Sequence, residues 1–465
     1  MNDLALAARN LLRNRRRSIA TMLALAIGTA AILLFGGYSK NIDYSMQTAY
    51  VRTGGHLQIQ HSDFFHFGSG DPTAYGISAY EKISEAIRKD SVLGPMVYVV
   101  TPILQFGGIA GNYSKGVSRT IAGLGLRAQD QRRMRDWDDF DLQLIFPPSP
   151  LERSQADAAI IGTGLARVLH LCEPLKLSDC PEGLQPGKAQ GEALPDDIAQ
   201  LSANEAAATA PTKSNTSNTI EVLASNSRGA PNVAAVQVIA AERQAFKELD
   251  EVYLSLHLPQ AQRLIYGTET PKVTAIMVQL HHTADIPAAQ ARLPVVLSAS
   301  SEGQRLSVLD FRTLYPFYVQ SQLLFDMIFG FIYCLIGSIV LFTIGNTMNM
   351  AVVERTVEIG TLRSMGIRSS GIRRLFVVEG LLLGVAGAVV GLVCALLIGF
   401  IVNHLSLTWL PPGSANPLPL RLSILGEYRM ILGTVSGLVV IATLSAWWPA
   451  RRASGLIIVD ALRHA

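Results

Sequence analysis

Residues Met327–Asn403 read MIFGFIYCLIGSIVLFTIGNTMNMAVVERTVEIGTLRSMGIRSSGIRRLFVVEGLLLGVAGAVVGLVCALLIGFIVN. No Asp, Glu, Lys, Arg or His occurs from Met327 to Val353, and none occurs again from Gly380 to Asn403. A helix that crosses a bilayer needs about 20 consecutive, mostly apolar residues, and both runs meet that length. Between them lies VVERTVEIGTLRSMGIRSSGIRRLF, with Glu354, Arg355, Glu358, Arg363, Arg368, Arg373 and Arg374. An arginine at a bilayer centre costs roughly 2.5–3.5 kcal/mol on insertion scales. Arginines confined to the turn between two apolar runs are therefore the pattern of span, loop, span. The alternative, a pair of buried helices in a soluble core, does not account for an Arg-rich hinge between them.

Working outward, two further apolar runs appear. At the N-terminus, Arg9, Arg13, Arg15, Arg16 and Arg17 precede a charge-free run from Ser18 to Ser39. A signal peptide also has a basic start, but its apolar region is usually about 7–15 residues and ends in a small-x-small cleavage site. This run is longer, and Phe35-Gly36-Gly37-Tyr38 suits cleavage poorly, so an uncleaved span is expected. Its lead-in, Leu4 to Leu12, has the amphipathic pattern of a segment lying on a membrane surface. The last run, Met430 to Ala450, ends in Trp447-Trp448-Pro449 and is followed at once by Arg451 and Arg452; tryptophans of this kind suit a membrane–water interface.

The expected boundaries are a cytoplasmic N-terminus over 1–17 and spans at 18–39, 324–350, 375–402 and 429–449. A coupling loop or helix is expected over 351–373, a short external loop over 403–428 and a cytoplasmic tail over 450–465. Placing the N-terminus inside puts the N-terminal, hinge and tail arginines (Arg463 included) in the cytoplasm and leaves Arg421 and Arg429 outside. The opposite orientation reverses that bias, so the positive-inside rule favours this one. The region 40–320 is then extracytoplasmic and the protein multi-pass in a cell (inner) membrane.

Composition agrees. Only 16% of the 465 residues are charged, against about 25% in soluble domains. A net charge of +3, with no Lys/Arg stripe interleaved with aromatics, gives no basis for nucleic-acid binding.

Within 40–320, Val51 to Gln60 alternates His56, Gln58 and Gln60 with Leu57 and Ile59, a strand signal. Met96 to Phe106, Ser118 to Leu124, Asn232 to Ala240, Glu251 to Leu258 and Lys272 to Leu280 are further strand candidates. Tyr80 to Lys89 and Ile286 to Leu297 read as helices. Asp157 to Leu171 reads as a strand feeding a helix through Gly162 and Gly164. The mixture predicts an α+β domain. Residues 181–218 are rich in small and polar types without aromatics, so a mobile low-complexity insert is expected there. The fold class expected overall is a membrane protein with four transmembrane α-helices and a large α+β extracytoplasmic domain inserted between helices 1 and 2. Of the four cysteines, Cys334 and Cys394 sit in apolar runs. Cys172 and Cys180 sit in a polar segment, where a disulfide suits an oxidising compartment, though the spacing equally permits two free thiols.

The pieces resemble a known family. ERTVEIGTLRSMGIRSSGIRRLFVVEGLLLGVAGAVVGL resembles the cytoplasmic loop and following helix of FtsX/MacB/LolC-type permeases of ABC transporters. ARNLLRNRRRS resembles that family's opening and WWPARRASGLIIVDALRHA its close. VRTGGHLQIQ, DEVYLSL and AQRLIYG resemble the outer domain of the lipoprotein-releasing subgroup. The 181–218 insert departs from the pattern. The resemblance implies a permease subunit working with an ABC ATPase dimer and a second permease copy, identical or related. The work implied is extraction of a lipoprotein or lipid, or export of a periplasmic substrate. A signalling module that activates a partner such as a cell-wall hydrolase, with no transport, is the alternative.

The resemblance also implies that Glu354, Arg355, Glu358, Gly360, Arg363 and Gly366 form the coupling element that docks into the ATPase. From spacing alone, these charges can form i,i+4 pairs on one helix, and the plainer reading is a solvated loop that only sets topology. Glu379 sits just inside the third run, where an ionisable residue calls for a partner; pairing at the interface with Arg373 or Arg374 is expected. Asn346 and Asn349 are candidates for hydrogen bonds across helices. Gly384, Gly387, Gly391, Gly433 and Gly437 have spacings that let helices approach closely. His56, His61 and His66 recur every five residues, but no ligand cluster completes a metal site. G-x-x-x-x-G-K-[ST], H-E-x-x-H and G-x-S-x-G are all absent. The chain is thus expected to be non-catalytic and without a cofactor of its own, ATP and Mg being held by the partner ATPase.

Overall fold

The computed structural model describes residues 3–68, 70–142, 148–177, 218–244, 247–405, 407–409 and 418–455. The segment 181–217, Cys180, Pro411, Pro412, Pro417 and Arg463 lie outside them. The chain divides into two units: Met1–Gln47 with Tyr315–Trp409 and Pro417–Ala465, and Thr48–Leu314 with Leu410–Asn416.

The first unit is helical. A short helix α1 (Asp3–Arg13) leads after one residue into α2 (Arg15–Gly54), whose residues to Gln47 belong here. After the other unit come α7 (Pro316–Glu354), α8 (Thr356–Ser364), α9 (Ser369–His404) and α10 (Tyr428–Ser454). Helices α2, α7, α9 and α10 are each long and apolar enough to cross a membrane. Pro316 opens α7, where its missing N–H and fixed φ are harmless. The four helices overrun the apolar runs because charged and polar residues at their ends continue the same hydrogen-bond ladder.

The helices pack through small residues. Ala442, Ala446, Ala450 and Ala453 on α10 are fully buried, with Val340, Ile344 and Met348 of α7 and Leu383 and Ala388 of α9 in the same cluster. Close approach of backbones through small side chains is the usual basis of helix association in membranes. The outward faces carry the large apolar residues: Phe331, Leu335, Ile339 and Phe342 on α7, and Val389, Val393 and Leu397 on α9, are exposed. Such a surface is stable facing hydrocarbon, where it needs no protein cover.

The second unit is an α+β structure built on one long strand. The strands are β1 (Leu57–His61), β2 (Val97–Asn112), β3 (Val117–Leu126), β4 (Ala158–Gly162), β5 (Thr219–Ser225), β6 (Pro231–Glu242), β7 (Tyr253–His257), β8 (Ala275–Leu280) and β9 (Leu306–Asp310). Residues Val97 to Ile103 of β2 pair with β8, continuing an antiparallel sheet β2-β8-β1-β9. Its later residues, Leu104 to Asn112, pair with β3, and Gly108 to Gly111 also pair with β5. The run β3-β7-β4-β6-β5-β2 therefore closes on itself through β2–β3 into a barrel. Helices α3 (Tyr80–Lys89), α4 (Ala128–Asp136), α5 (Leu258–Tyr266) and α6 (Ile286–Ser300) cover the sheets.

The strand expected over Val51–Gln60 begins only at Leu57, because Val51 to Gly54 continue α2. His56, Gln58 and Gln60 are buried along with Leu57 and Ile59, so the alternation does not mark a solvent face. The Gln58 side-chain amide is paired internally: its Nε2 donates to the Gly54 carbonyl at 2.9 Å and Gln60 Nε2 donates to Gln58 Oε1 at 2.9 Å. Helices α4 and α5 and strands β5 and β9 were not read from the sequence, because they are short; a period is present in α5, where Leu258, Ala261, Leu264 and Ile265 are buried, and in β5, where Ile220, Val222 and Ala224 are. His56, His61 and His66 do not converge. His56 Nδ1 accepts the Leu280 N–H (3.0 Å), His61 Nδ1 lies 3.8 Å from Asp63, and His66 sits between Phe65 and Phe67. Cys172 is disulfide-bonded, while Cys334 and Cys394 are free.

Candidate coupling site

The span–turn–span stretch is not one continuous helix with a loop. Helix α7 ends at Glu354, Arg355 (φ −103°, ψ 16°) breaks it, and α8 follows at Thr356. Helix α8 then stops in a Schellman motif. The Gly366 N–H donates to the Arg363 carbonyl (3.0 Å) and the Ile367 N–H to the Leu362 carbonyl (3.2 Å). Gly366 takes φ +93°, a conformation glycine adopts without cost. Leu362 and Ile367 both pack on the bundle cluster, so the turn is anchored as well as tight. Gly360 is buried on α8, while Arg363 is half-buried.

The carboxylates of this turn, Glu354 and Glu358, pair with other elements rather than at i,i+4 within one helix. Arg13 Nη2 donates to both carboxylate oxygens of Glu358 at 2.7 Å each. Arg17 makes a two-pronged pair with Glu354, at 2.7 and 2.6 Å. The break at Arg355 separates Glu354 from Glu358, and two arginines of the N-terminal segment take the carboxylates instead.

Glu379 is the second departure. It lies on α9 and is 1% exposed, deep enough that neither Arg373 nor Arg374, both exposed, is its partner. Its Oε1 accepts from Arg355 Nη1 at 3.0 Å and from Asn10 Nδ2 at 2.6 Å. Arg355 Nη2 in turn donates to the Asn10 carbonyl at 3.3 Å, and Arg355 itself is only 7% exposed. A buried charge in an apolar bundle is tolerable when paired and hydrogen-bonded, and this one draws on three elements.

Asn10 is the residue sequence reasoning missed. A signal existed: Ala7, Asn10 and Leu11 share one face of α1 at i, i+3 and i+4 spacing. Ala7 is fully buried and Leu11 packs on the bundle cluster, so this face is docked. The other expected polar pair behaves differently from expectation. Asn346 is exposed and Asn349 half-buried, and among the described residues neither makes a hydrogen bond. Within the apolar runs of α2 and α7, Thr21 Oγ1 and Thr347 Oγ1 lie 3.0 Å apart.

The glycines divide. A Cβ on Gly384 would meet Ala442 Cβ at 2.9 Å, on Gly387 Leu25 Cδ2 at 2.5 Å, and on Gly391 the Ala26 carbonyl oxygen at 2.5 Å. Gly437 faces the Tyr333 hydroxyl, but a Cβ on Gly433 would meet nothing within 4 Å among the described residues. At the far end of α10, the Arg451 guanidinium lies 5.8 Å from the centre of the Trp447 ring, and Trp448 is exposed.

Comparison with known proteins places this region. Residues 330–456 match the family model FtsX-like permease C-terminal. The chain is 33% identical over 139 residues to the ABC transporter permease YtrF of Bacillus subtilis, covering 29% of this chain and 31% of that protein. It is 25% identical over 244 residues to the lipoprotein-releasing system transmembrane protein LolC of Neisseria meningitidis serogroup B, covering 50% and 56%. Among solved structures, the periplasmic region of MacB from Actinobacillus actinomycetemcomitans aligns at 11% identity and TM-score 0.32, over 57% of this chain and 94% of that one. A likeness that loose adds no argument. The chain spans 31% of the first of these curated relatives and 56% of the second. The matched segment runs from within α7 through the α8 turn and α9 to the end of α10, so this part of the chain matches an FtsX-like permease C-terminal domain.

Proposed function

We propose that this protein is the transmembrane subunit of an ABC transporter, and that α8 is the element a partner ATPase grips. ATP and Mg are bound by that partner, and this chain performs no chemistry. The observation that carries the reading is the family match over 330–456, which includes the α7–α8–α9 turn with Glu354, Arg355, Glu358, Gly360, Arg363 and Gly366. In this reading the turn and both termini are cytoplasmic, as the positive-inside rule requires. The unit Thr48–Leu314, which lies between the first and second apolar helices in sequence, is extracytoplasmic.

Closure of an ATPase dimer on ATP draws two copies of α8 together, one from each of two permease chains. The rigid helices carry that displacement across the bilayer to the outer unit. There the work is extraction of a lipoprotein or lipid, or export of a periplasmic substrate; LolC, named for lipoprotein release, supports the first.

The test is copurification. Solubilised gently, the tagged chain is expected to bring down an ABC ATPase, and Glu358→Lys combined with Gly366→Trp is expected to lose it. If that double variant retained both assembly and ATP-driven activity, α8 would not be the docking element. Crosslinking from the outer unit identifies what it works on. Capture of a lipoprotein or lipid agrees with extraction, whereas a cell-wall hydrolase would make the protein a signalling module.

A further inference from the structure

We infer that α1 and α8 form one two-helix lever, hinged at Asn14 and Arg355, so that α8 cannot move without carrying α1. This rests on the permease reading above and deepens it by naming a second moving part.

Four residues of the N-terminal segment, 10, 13, 17 and 21, follow 3-4-4 spacing and so lie along one face of the α1–α2 rod. Their partners are Glu379, Glu358, Glu354 and Thr347. As the first number rises from 13 to 21 the second falls from 358 to 347, so the two rods run antiparallel and are zipped by polar contacts. Each rod is broken once. Asn14 separates α1 from α2, and Arg355 separates α7 from α8.

The breaks face each other within the zipper. Arg13–Glu358 joins the two rods on the α1/α8 side of the breaks, and Arg17–Glu354 joins them on the α2/α7 side. Bending at one break alone would tear Arg13 from Glu358; bending at both together keeps both ion pairs and gives up the Asn10–Glu379 bond that ties α1 to α9. The buried group beside the breaks is itself incompletely satisfied. Arg355 Nε is buried with no hydrogen-bond partner among the described residues, and Glu379 receives both of its bonds on one oxygen. A polar cluster with donors to spare can re-pair as its helices shift, which a fully satisfied one resists.

The test is hydrogen exchange on the full-length chain in phosphatidylcholine nanodiscs, read over α1 and α8 with α10 as internal control. Arg13→Glu and Glu358→Arg, each alone, are expected to raise exchange in both α1 and α8 about two- to fivefold, the scale of an exposed ion pair. The double swap Arg13→Glu with Glu358→Arg is expected to restore wild-type rates. Asn10→Ala, which removes a bond to a charged group, is expected to raise both by about tenfold. Exchange in α10 stays unchanged throughout.

If α1 loosened while α8 did not, or if the swap failed to rescue, the lever would be refuted. A rise across all helices, α10 included, would mean general loosening and would also refute it. A chain that passes these tests yet copurifies with no ATPase would defeat the permease reading and leave the lever standing. One that binds an ATPase but exchanges α1 independently of α8 would do the reverse.

Discussion

Arg355 Nη1 lies 3.0 Å from Glu379 Oε1, and the two residues are 7% and 1% exposed. One belongs to the break between α7 and α8 and the other to α9, so a single buried pair fixes the start of α8 against the bundle. Removing one partner leaves an uncompensated charge in an apolar setting. Glu379→Gln and Arg355→Met should each lower stability by about 3–5 kcal/mol. The double variant Arg355→Met/Glu379→Leu should cost much less than the sum. Thermal unfolding in detergent measures all three, and simple additivity would show that the pair is not coupled.

The pair Arg13–Glu358 should behave oppositely. Its side chains are 54% and 52% exposed, so screening and side-chain entropy offset most of the attraction. Arg13→Ala should cost under about 1 kcal/mol, and raising salt from ~0.05 to ~0.5 M should erase the difference from wild type. A large, salt-independent loss would mean that the guanidinium does something beyond pairing.

The glycines give a contrast on neighbouring helices. Gly391→Ala should destabilise, because the new Cβ would sit 2.5 Å from the Ala26 carbonyl oxygen and 2.6 Å from Thr29 Cβ, and backbone cannot yield. Gly433→Ala meets nothing within 4 Å and should stabilise α10 by about 0.5–1 kcal/mol through helix propensity. Equal effects from the two would undo the packing argument. A loss at Gly433 in the assembled complex but not in the isolated chain would mark a contact with another subunit.

His56 makes the unit Thr48–Leu314 sensitive to acid. It is fully buried, its Nε2 lies 3.2 Å from Thr283 Oγ1, and its ring meets Trp137 edge-on at 4.9 Å. Burial holds its pKa down to about 3, against a smaller upward pull from Asp139. The unfolded chain, with a pKa near 6.5, therefore binds more protons than the folded one. The stability from neutral His56 is fully present above about pH 6.5 and is lost as pH falls from there towards about 3. The loss is at most about 1.4 kcal/mol per pH unit. Tryptophan fluorescence of the wild type should show this slope, and His56→Gln should flatten it; an unchanged slope would assign the acid sensitivity elsewhere.

How much was readable in advance differs by region. The four apolar helices were legible because hydropathy along the chain is a local property. Helix α3 and the strand core of β2 and β3 were legible for the same reason. The barrel was not. Its closure depends on β2 changing partners from β8 to β3 and β5, and nothing in the run VYVVTPILQFGGIAGN states which strand lies alongside. The candidate site was half legible. The turn and its glycine were plain, but Glu379 was assigned the wrong partner, since Arg373 and Arg374 are near it in sequence and Arg355 and Asn10 are near it in space.

The sequence alone determined that this chain has four apolar helices, a charged turn between the middle pair, and a mixed α/β region. Those features follow from residue type and spacing over a few turns of backbone. Only the tertiary structure decided that Asn10 meets Glu379 across 369 positions and Arg13 meets Glu358 across 345. Charge chemistry permits any of the arginines to pair with any of the carboxylates. The packing of helices, set by where small residues allow close approach, selects which of them touch.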